Sequence, residues 1–260
     1  MQNPLNRSET GLLATVVLAI AAACLVPPVA QFDHYHAFAD QRHLLGLPCA
    51  LDVLSNLPFA LFGAWGLLRL RNPKFDQPTG AQRPLAALFF AGLVLTAVCS
   101  AAYHLRPDDA GLAIDRLGMV SAFAGLMGLA TADRISERAG LWTATVVLAL
   151  GPLSVVAWIN HGNLLPWAVL QGGGMLLIVL LALRKPMAGA WRLPLAEVIA
   201  WYVLAKVLEL GDHLVFDLTQ GLVSGHTLKH LAAALAAWPV ITLMHNGAQA
   251  RPWHRQAARA

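Results

Sequence analysis

Three histidines in apolar segments of this chain have the types and spacing of a metal site. His226 and His230 form an H-x-x-x-H pair, and far upstream His104 closes the pair Ser100-x-x-x-His104. On a helix, residues four apart lie on one face, one turn apart. Neutral imidazoles are preferred zinc ligands, and a catalytic zinc site combines three protein ligands with an open position for water. We therefore expect His104, His226 and His230 to bind Zn²⁺.

A lone acid, Asp115, opens another apolar segment and supplies a candidate general base. Zinc lowers the pKa of a bound water to near neutrality, which makes it a nucleophile. Asp115 could accept the proton of such a water and return it to a leaving amine. Ser100, one turn from His104, could orient Asp115 or donate to a developing oxyanion. The pattern predicts hydrolysis with Ser100 and Asp115 as the catalytic pair.

The alternative is a polar cluster at helix ends with no metal. Ten histidines in 260 residues give about 0.4 pairs at this spacing by chance, so the H-x-x-x-H pair alone is weak evidence. Ionisable side chains inside apolar segments are costly, however, and indicate function. The pair, the S-x-x-x-H motif and an acid at the same predicted depth together favour the metal site.

The composition is typical of an integral membrane protein. Hydrophobic residues make up 57% of the chain and charged residues only 12%, against about 25% charged in soluble domains. The net charge of +4 indicates no nucleic-acid partner, because the basic residues lie in loops between apolar segments. The three cysteines have no regular spacing and are expected to be unpaired thiols.

Eight apolar segments are long enough to cross a hydrocarbon core of about 30 Å. We place them at 10–30, 52–70, 84–104, 113–132, 141–159, 164–183, 195–216 and 226–244. The first resembles a signal peptide in part, but its length favours a retained helix. The expected organisation is an N-terminal membrane helix and periplasmic loop (1–50), a seven-helix catalytic domain (51–245) and a basic cytoplasmic tail (246–260).

Lysines and arginines predict the orientation. With the N-terminus inside, thirteen of the eighteen fall in cytoplasmic segments, so the positive-inside rule places both termini in the cytoplasm. His104, Asp115 and the His226–His230 pair then share the periplasmic side. The pattern predicts a bacterial inner-membrane protein with its active site toward the periplasm.

In this order the motifs resemble those of the alkaline ceramidases, in the CREST superfamily of membrane hydrolases, which also includes the progestin and adiponectin receptors. The resemblance covers about 50–245, which holds seven of the predicted spans, and leaves the first helix as an addition. Its residues are Ser-Ala-Ala-Tyr-His at 100–104, Asp-Arg-Leu at 115–117, Ser-Gly-His-Thr-Leu-Lys-His at 224–230 and Asp52-Val-Leu-Ser-Asn56. It implies an all-α, seven-helix CREST-like bundle plus one extra helix, with three zinc-binding histidines. It also implies that Ser100 and Asp115 assist cleavage of a ceramide amide into sphingoid base and fatty acid.

The same family carries an acidic, Trp-containing calcium-binding segment before the first core helix. Here the stretch 32–43 contains Asp33 and Asp40 but no matching pattern. The resemblance therefore implies zinc and leaves calcium open. The three histidines of this stretch are irregularly spaced and favour a wet interfacial loop.

Four further polar residues inside apolar segments are candidates for supporting roles or substrate contacts: Asp52, Asn56, Glu209 and Asp212. Glu209 either forms an ion pair with Lys206 that holds helices together or contacts a lipid headgroup. Asn56 is expected to form a hydrogen bond between helices.

Other functions remain open at this point. A lipid receptor could keep the metal as a structural clamp without turnover, and a hydrolase could act on another N-acyl lipid or a lipid ester. Haem ligation and an intramembrane serine protease are disfavoured, because histidines or a Ser–His dyad four apart on one helix have poor geometry for either. The expected partner is a membrane lipid, and no protein partner is indicated.

Overall fold

The described part of the chain, residues 4–44 and 46–244 of a computed structural model, is helical. Within it, the only strand-like pairing is an isolated bridge between Leu44 and Leu47. The predicted tail 246–260 lies outside the described residues. The helices are α1 (Arg7–Leu25), α2 (Ala50–Leu54), α3 (Leu57–Arg71), α4 (Gln82–Leu105), α5 (Asp109–Arg134), α6 (Glu137–His161), α7 (Leu165–Ala182), α8 (Leu195–Leu210), α9 (Asp212–Leu218), α10 (Gly225–Leu235) and α11 (Trp238–Thr242).

Capping residues determine where the long helices begin. Asn6 and Glu9 form a capping box at the start of α1, in which each side chain satisfies a backbone N–H of the first turn. Asp108 caps α5 by accepting from the Gly111 N–H, and Ser136 caps α6 in the same manner. The Asp108 cap starts α5 six residues before Asp115. Asp115 therefore lies inside the helix and does not open it as the sequence predicted.

Six helices in residues 4–44 and 46–244 are long and apolar enough to cross a membrane. They match the first six predicted segments, with α2 and α3 together forming the second. The last two predicted segments are each divided into shorter helices. Gly211 separates α8 from α9, and Pro239 follows the break between α10 and α11, since proline cannot continue a helix hydrogen-bond ladder.

The outer faces of the helices are apolar, as expected of a protein in contact with lipid. Leu18 is 69% exposed, Leu68 65% and Leu210 88%. An aqueous solvent would penalise so large an exposed apolar surface, whereas hydrocarbon does not. The structure is that of an all-α membrane protein.

Close packing of α4 against α5 brings Ser100 and His104 close to Asp115. A Cβ added at Gly92 would lie 2.2 Å from the backbone N of Ala122, and one at Gly125 would lie 2.2 Å from the backbone N of Phe89. Small residues allow two membrane helices to approach this closely. The contact places the far end of α4, with Ser100 and His104, beside the first turns of α5.

Two arginines join chain segments at helix ends away from the histidine motifs. Arg69 Nη1 donates to the carbonyl oxygens of Ile241 and Met244, which joins the end of α3 to α11. Arg184 Nη2 donates to Ser8 Oγ, which joins the chain after α7 to the start of α1. Which end of the bundle faces the cytoplasm stays a prediction.

Candidate metal centre

The three predicted histidines lie together in the structure. His104, His226 and His230 are all buried, and one ligand nitrogen from each lies within 4.8 Å of the others. The Nε2 atoms of His104 and His226 are 3.3 Å apart. Two ligands at about 2.05 Å on a tetrahedral zinc are separated by about 3.4 Å. The cluster could hold a metal ion, and its geometry and chemistry are compatible with Zn²⁺.

The rings form a nearly equilateral triangle. Their centroids are 4.8 Å apart for His104–His226, 5.0 Å for His104–His230 and 4.8 Å for His226–His230. Edge-to-face rings at these distances are also common in packed aromatic clusters, so the ligand-atom distances, within 4.8 Å of one another, are what indicate a metal site. His104 Nδ1 is buried and has no hydrogen-bond partner.

The start of α10 is held closely against α8 and α9, which places His226. Ser224 caps α10 by accepting from the Thr227 N–H. A Cβ at Gly225 would lie 2.3 Å from the Leu208 carbonyl oxygen, so only glycine allows this approach. Asp212 accepts from the His226 N–H at 2.7 Å. The predicted supporting residue Asp212 therefore positions the backbone of His226.

Ser55 contacts the Nδ1 nitrogen of His230. Its Oγ lies 3.0 Å from the Asp52 carbonyl oxygen and 2.7 Å from His230 Nδ1. With the hydroxyl proton on the Asp52 carbonyl, Oγ would accept from Nδ1–H, and the lone pair of Nε2 would be left for a metal. The sequence alone did not predict this role, and the available signal was the closeness of Asp52, Ser55 and Asn56 in an apolar segment.

Replacing Ser55 by alanine is expected to weaken zinc binding about 10- to 100-fold, because a partner of this kind orients the ligand and fixes its tautomer. Ser154→Ala is the matched control, since Ser154 is buried on α6 and donates only to the Gly151 carbonyl. Competition with a chromogenic zinc chelator measures both affinities. Equal affinities in the two variants would contradict a role for Ser55.

Ser100, Asp115 and His230 line one cavity. Ser100 lies beside the Asp115 carboxylate and interacts with it. Asp115 Oδ1 is buried and has no hydrogen-bond partner. The predicted catalytic pair therefore places an unpartnered oxygen of the Asp115 carboxylate at the cavity that His230 also lines.

The loop before α2 covers the histidines. Phe38 is buried, and its ring centroid lies 4.3 Å from that of His226 and 4.9 Å from that of His104. His36 contacts Tyr103 Oη at 2.8 Å and Asp109 at 3.0 Å. The sequence predicted a wet interfacial loop, whereas the part of the loop that contains His36 and Phe38 is packed against the site. No sequence signal pointed to Phe38, since a lone phenylalanine in a loop is unremarkable.

Asp40 in the same loop forms an ion pair with Arg42. The guanidinium of Arg42 donates to both carboxylate oxygens, at 2.8 and 2.6 Å. These bonds hold the pKa of the Asp40 carboxyl below its usual value. The positive charge of Arg42 therefore already neutralises the Asp40 carboxylate. Calcium binding stays an untested expectation.

Asp52 and Asn56 form a buried polar contact beneath α10. Asp52 Oδ1 accepts from Thr227 Oγ1 at 2.6 Å, while Asn56 Nδ2 donates to the Asp52 carbonyl at 2.8 Å. Asp52 Oδ2 and Asn56 Oδ1 are buried without partners. Asp52 thus connects α2 to the segment that carries His226 and His230, whereas Asn56 bonds back to the backbone of α2.

Glu209 joins two lysines at the wall of the cavity. It accepts from Lys229 Nζ at 2.7 Å and from Lys206 Nζ at 2.5 Å. All three side chains line the cavity that contains Ser100 and Asp115. The ion cluster both connects α8 to α10 and faces the site.

The fold and the site define an all-helical membrane protein with a buried three-histidine cluster able to hold a metal. Comparison with known proteins found no matching protein-family model, no matching curated protein and no matching solved structure. The case for a function therefore depends on the geometry of the site.

Proposed function

We propose that this protein is a zinc-dependent hydrolase of lipid amide bonds, with ceramide as the first substrate to test. The observation that carries the proposal is the meeting of Ser100, Asp115 and His230 at one cavity. A protein that used the metal only to hold its helices together would not require Asp115, with an unpartnered carboxylate oxygen, beside the metal site. The motif resemblance to the alkaline ceramidases supports the same reaction.

His104, His226 and His230 would hold the zinc, which supplies Lewis acidity and an activated water when it is bound. Asp115 accepts a proton at its unpartnered Oδ1 and later donates it to the leaving amine. Ser100 holds the carboxylate of Asp115 in place and is available to donate to the substrate carbonyl oxygen. Phe38 covers His104 and His226 and excludes bulk water from that side of the cluster.

The membrane setting follows from the outer faces of the helices. We propose that the histidine end faces the periplasm of a bacterial inner membrane, with both termini in the cytoplasm, because the basic loops are predicted to lie at the other end. The lipid then reaches the cavity laterally from the outer leaflet. The Lys206–Glu209–Lys229 cluster is placed to contact its polar headgroup.

A panel of lipids tests the proposed reaction. Zinc-loaded protein in detergent is incubated with ceramide, another N-acyl lipid and a lipid ester, and released fatty acid is measured by mass spectrometry. We expect fatty acid from the amide substrates, and none after zinc is removed by a chelator. Fatty acid released only from the ester would show that the protein hydrolyses lipid esters and not amides. Binding of lipid without any product would indicate a receptor.

A further inference from the structure

The cavity beside the histidine cluster has a charged wall on the side of α8 and α10. Lys206 and Glu209 come from α8, and Lys229 comes from α10, directly before His230. All three line the cavity together with Asp115. The side chains of Lys206, Glu209 and Lys229 are only partly exposed, at 41%, 26% and 19%. Charges in such a place are costly within a membrane protein unless they have partners or a functional role.

The two lysines share a single carboxylate. Glu209 accepts from Lys206 Nζ with Oε2 and from Lys229 Nζ with Oε1. Among the residues that the structure describes, no other acid forms an ion pair with either lysine. Each ammonium has three N–H donors, and the ion pairs use one on each lysine. The cluster therefore carries one surplus positive charge and has donors left for a ligand.

Asp115 is the other acid of this cavity, and no contact joins it to the surplus charge. Its Oδ1 is buried without a partner, and within the described residues no ion pair connects it to Lys206 or Lys229. In the proposed reaction Asp115 takes up a proton, which removes its negative charge while both lysines keep theirs. A buried charge without a counter-ion is strongly unfavourable. The charged wall therefore favours a ligand that brings a negative charge of its own.

We propose that Lys206 and Lys229 bind an acidic group of the substrate, a carboxylate or a phosphate placed close to the amide bond. This inference rests on the proposed function, since the reacting carbonyl must lie between the histidine cluster and Asp115. The acyl part of a membrane lipid is hydrocarbon, so the acidic group belongs to the amine part. Both anions accept hydrogen bonds from ammonium groups, and such charge-assisted bonds are stronger than neutral ones. The preferred substrate is then an acidic N-acyl lipid, unlike ceramide, which is neutral.

Binding of lipids that cannot be hydrolysed tests the anion site without requiring turnover. The probes are two ketone analogues of N-palmitoylglycine, in which CH2 replaces the amide N–H, one with a free carboxylate and one with a neutral carboxamide. Isothermal titration calorimetry measures their affinities for full-length, zinc-loaded protein in a non-ionic detergent. We expect the acid to bind at least about tenfold more tightly than the neutral analogue.

Substitutions in the cluster test whether its charge causes this preference. Lys206→Met and Lys229→Met each remove the surplus charge and leave the other lysine paired with Glu209. In both variants we expect the two analogues to bind with affinities within about twofold of each other. Glu209→Gln raises the surplus and is expected to strengthen binding of the acid, which a cluster that only joins α8 to α10 would not do. Lys185→Met, on the exposed chain after α7, is the matched control and should keep the full preference.

Zinc content measured on each variant shows that the fold is retained, and the second lysine variant covers a failure of the first. Turnover is compared for two matched pairs, N-palmitoylglycine with its carboxamide and N-palmitoyl ethanolamine phosphate with N-palmitoyl ethanolamine. Faster palmitate release from the acidic member of a pair supports the site and shows whether it takes the carboxylate or the phosphate.

Equal binding of the two ketone analogues in wild type, or a preference that persists in both lysine variants, would overturn the anion site. A lysine-dependent preference in binding, with no turnover of any amide, would instead count against the proposed reaction alone.

Discussion

Replacing Asp115 by asparagine is expected to lower turnover by about 100- to 10,000-fold while zinc remains bound. The asparagine side chain keeps the shape of the carboxylate but cannot accept a proton near neutral pH. Oδ1 of Asp115 is buried without a partner next to Ser100, so no structural contact of that atom is lost. Rate of fatty acid release and zinc content, measured on the same preparation, separate the chemical effect from metal loss.

Asp109→Asn provides the matched control for this experiment. Asp109 begins the same helix, and its carboxylate contacts His36 at 3.0 Å on the surface. The same change of charge there is expected to leave turnover within about twofold of wild type, since surface ion pairs contribute little. An Asp115→Asn protein as active as the control would remove Asp115 from the mechanism.

Replacing Gly125 by alanine is expected to destabilise the protein by about 3 kcal/mol or more. The new methyl group would lie 2.2 Å from the backbone N of Phe89 and 2.4 Å from its Cα, and a backbone cannot turn away as a flexible side chain can. α4 and α5 would have to separate. Because α4 carries His104 and α5 carries Asp115, zinc content should fall together with the midpoint of thermal unfolding in detergent.

The control for the glycine experiment is Gly173→Ala. Its added methyl group meets no atom within 4 Å, and alanine favours a helix by up to about 1 kcal/mol relative to glycine. We expect a thermal midpoint equal to or above that of wild type. If Gly125→Ala were equally stable, the close approach of α4 and α5 would not be what holds the site together.

The sequence predicted the cluster of three histidines, for a physical reason. An i, i+4 pair can be located from spacing alone, and charged or polar groups are too costly in apolar segments to occur there without a partner. The lysines and arginines of the loops then assigned each helix end to one side of the membrane. This assignment placed His104 on the same side as His226. The structure confirms that these histidines lie close enough to bind a metal ion.

The parts that sequence could not predict depend on tertiary contacts. Hydropathy treats 195–216 and 226–244 as continuous spans, yet Gly211 and Pro239 lie at breaks in them. Ser55 became important only because α2 packs beside α10, which sets its Oγ 2.7 Å from His230. Phe38 reaches the histidines through a loop path that no periodicity encodes. The Asp108 cap likewise moved the start of α5 ahead of the predicted position.

The metal content of the purified protein shows whether the three histidines form a metal site. Inductively coupled plasma mass spectrometry is applied to wild type, His104→Ala and His230→Ala, with His161→Ala, outside the cluster, as control. We expect about one zinc per chain in wild type and in the control, and little or none in the two cluster variants. Folded wild-type protein that binds no metal even after zinc is added would contradict this expectation and reduce the three histidines to a polar helix cluster.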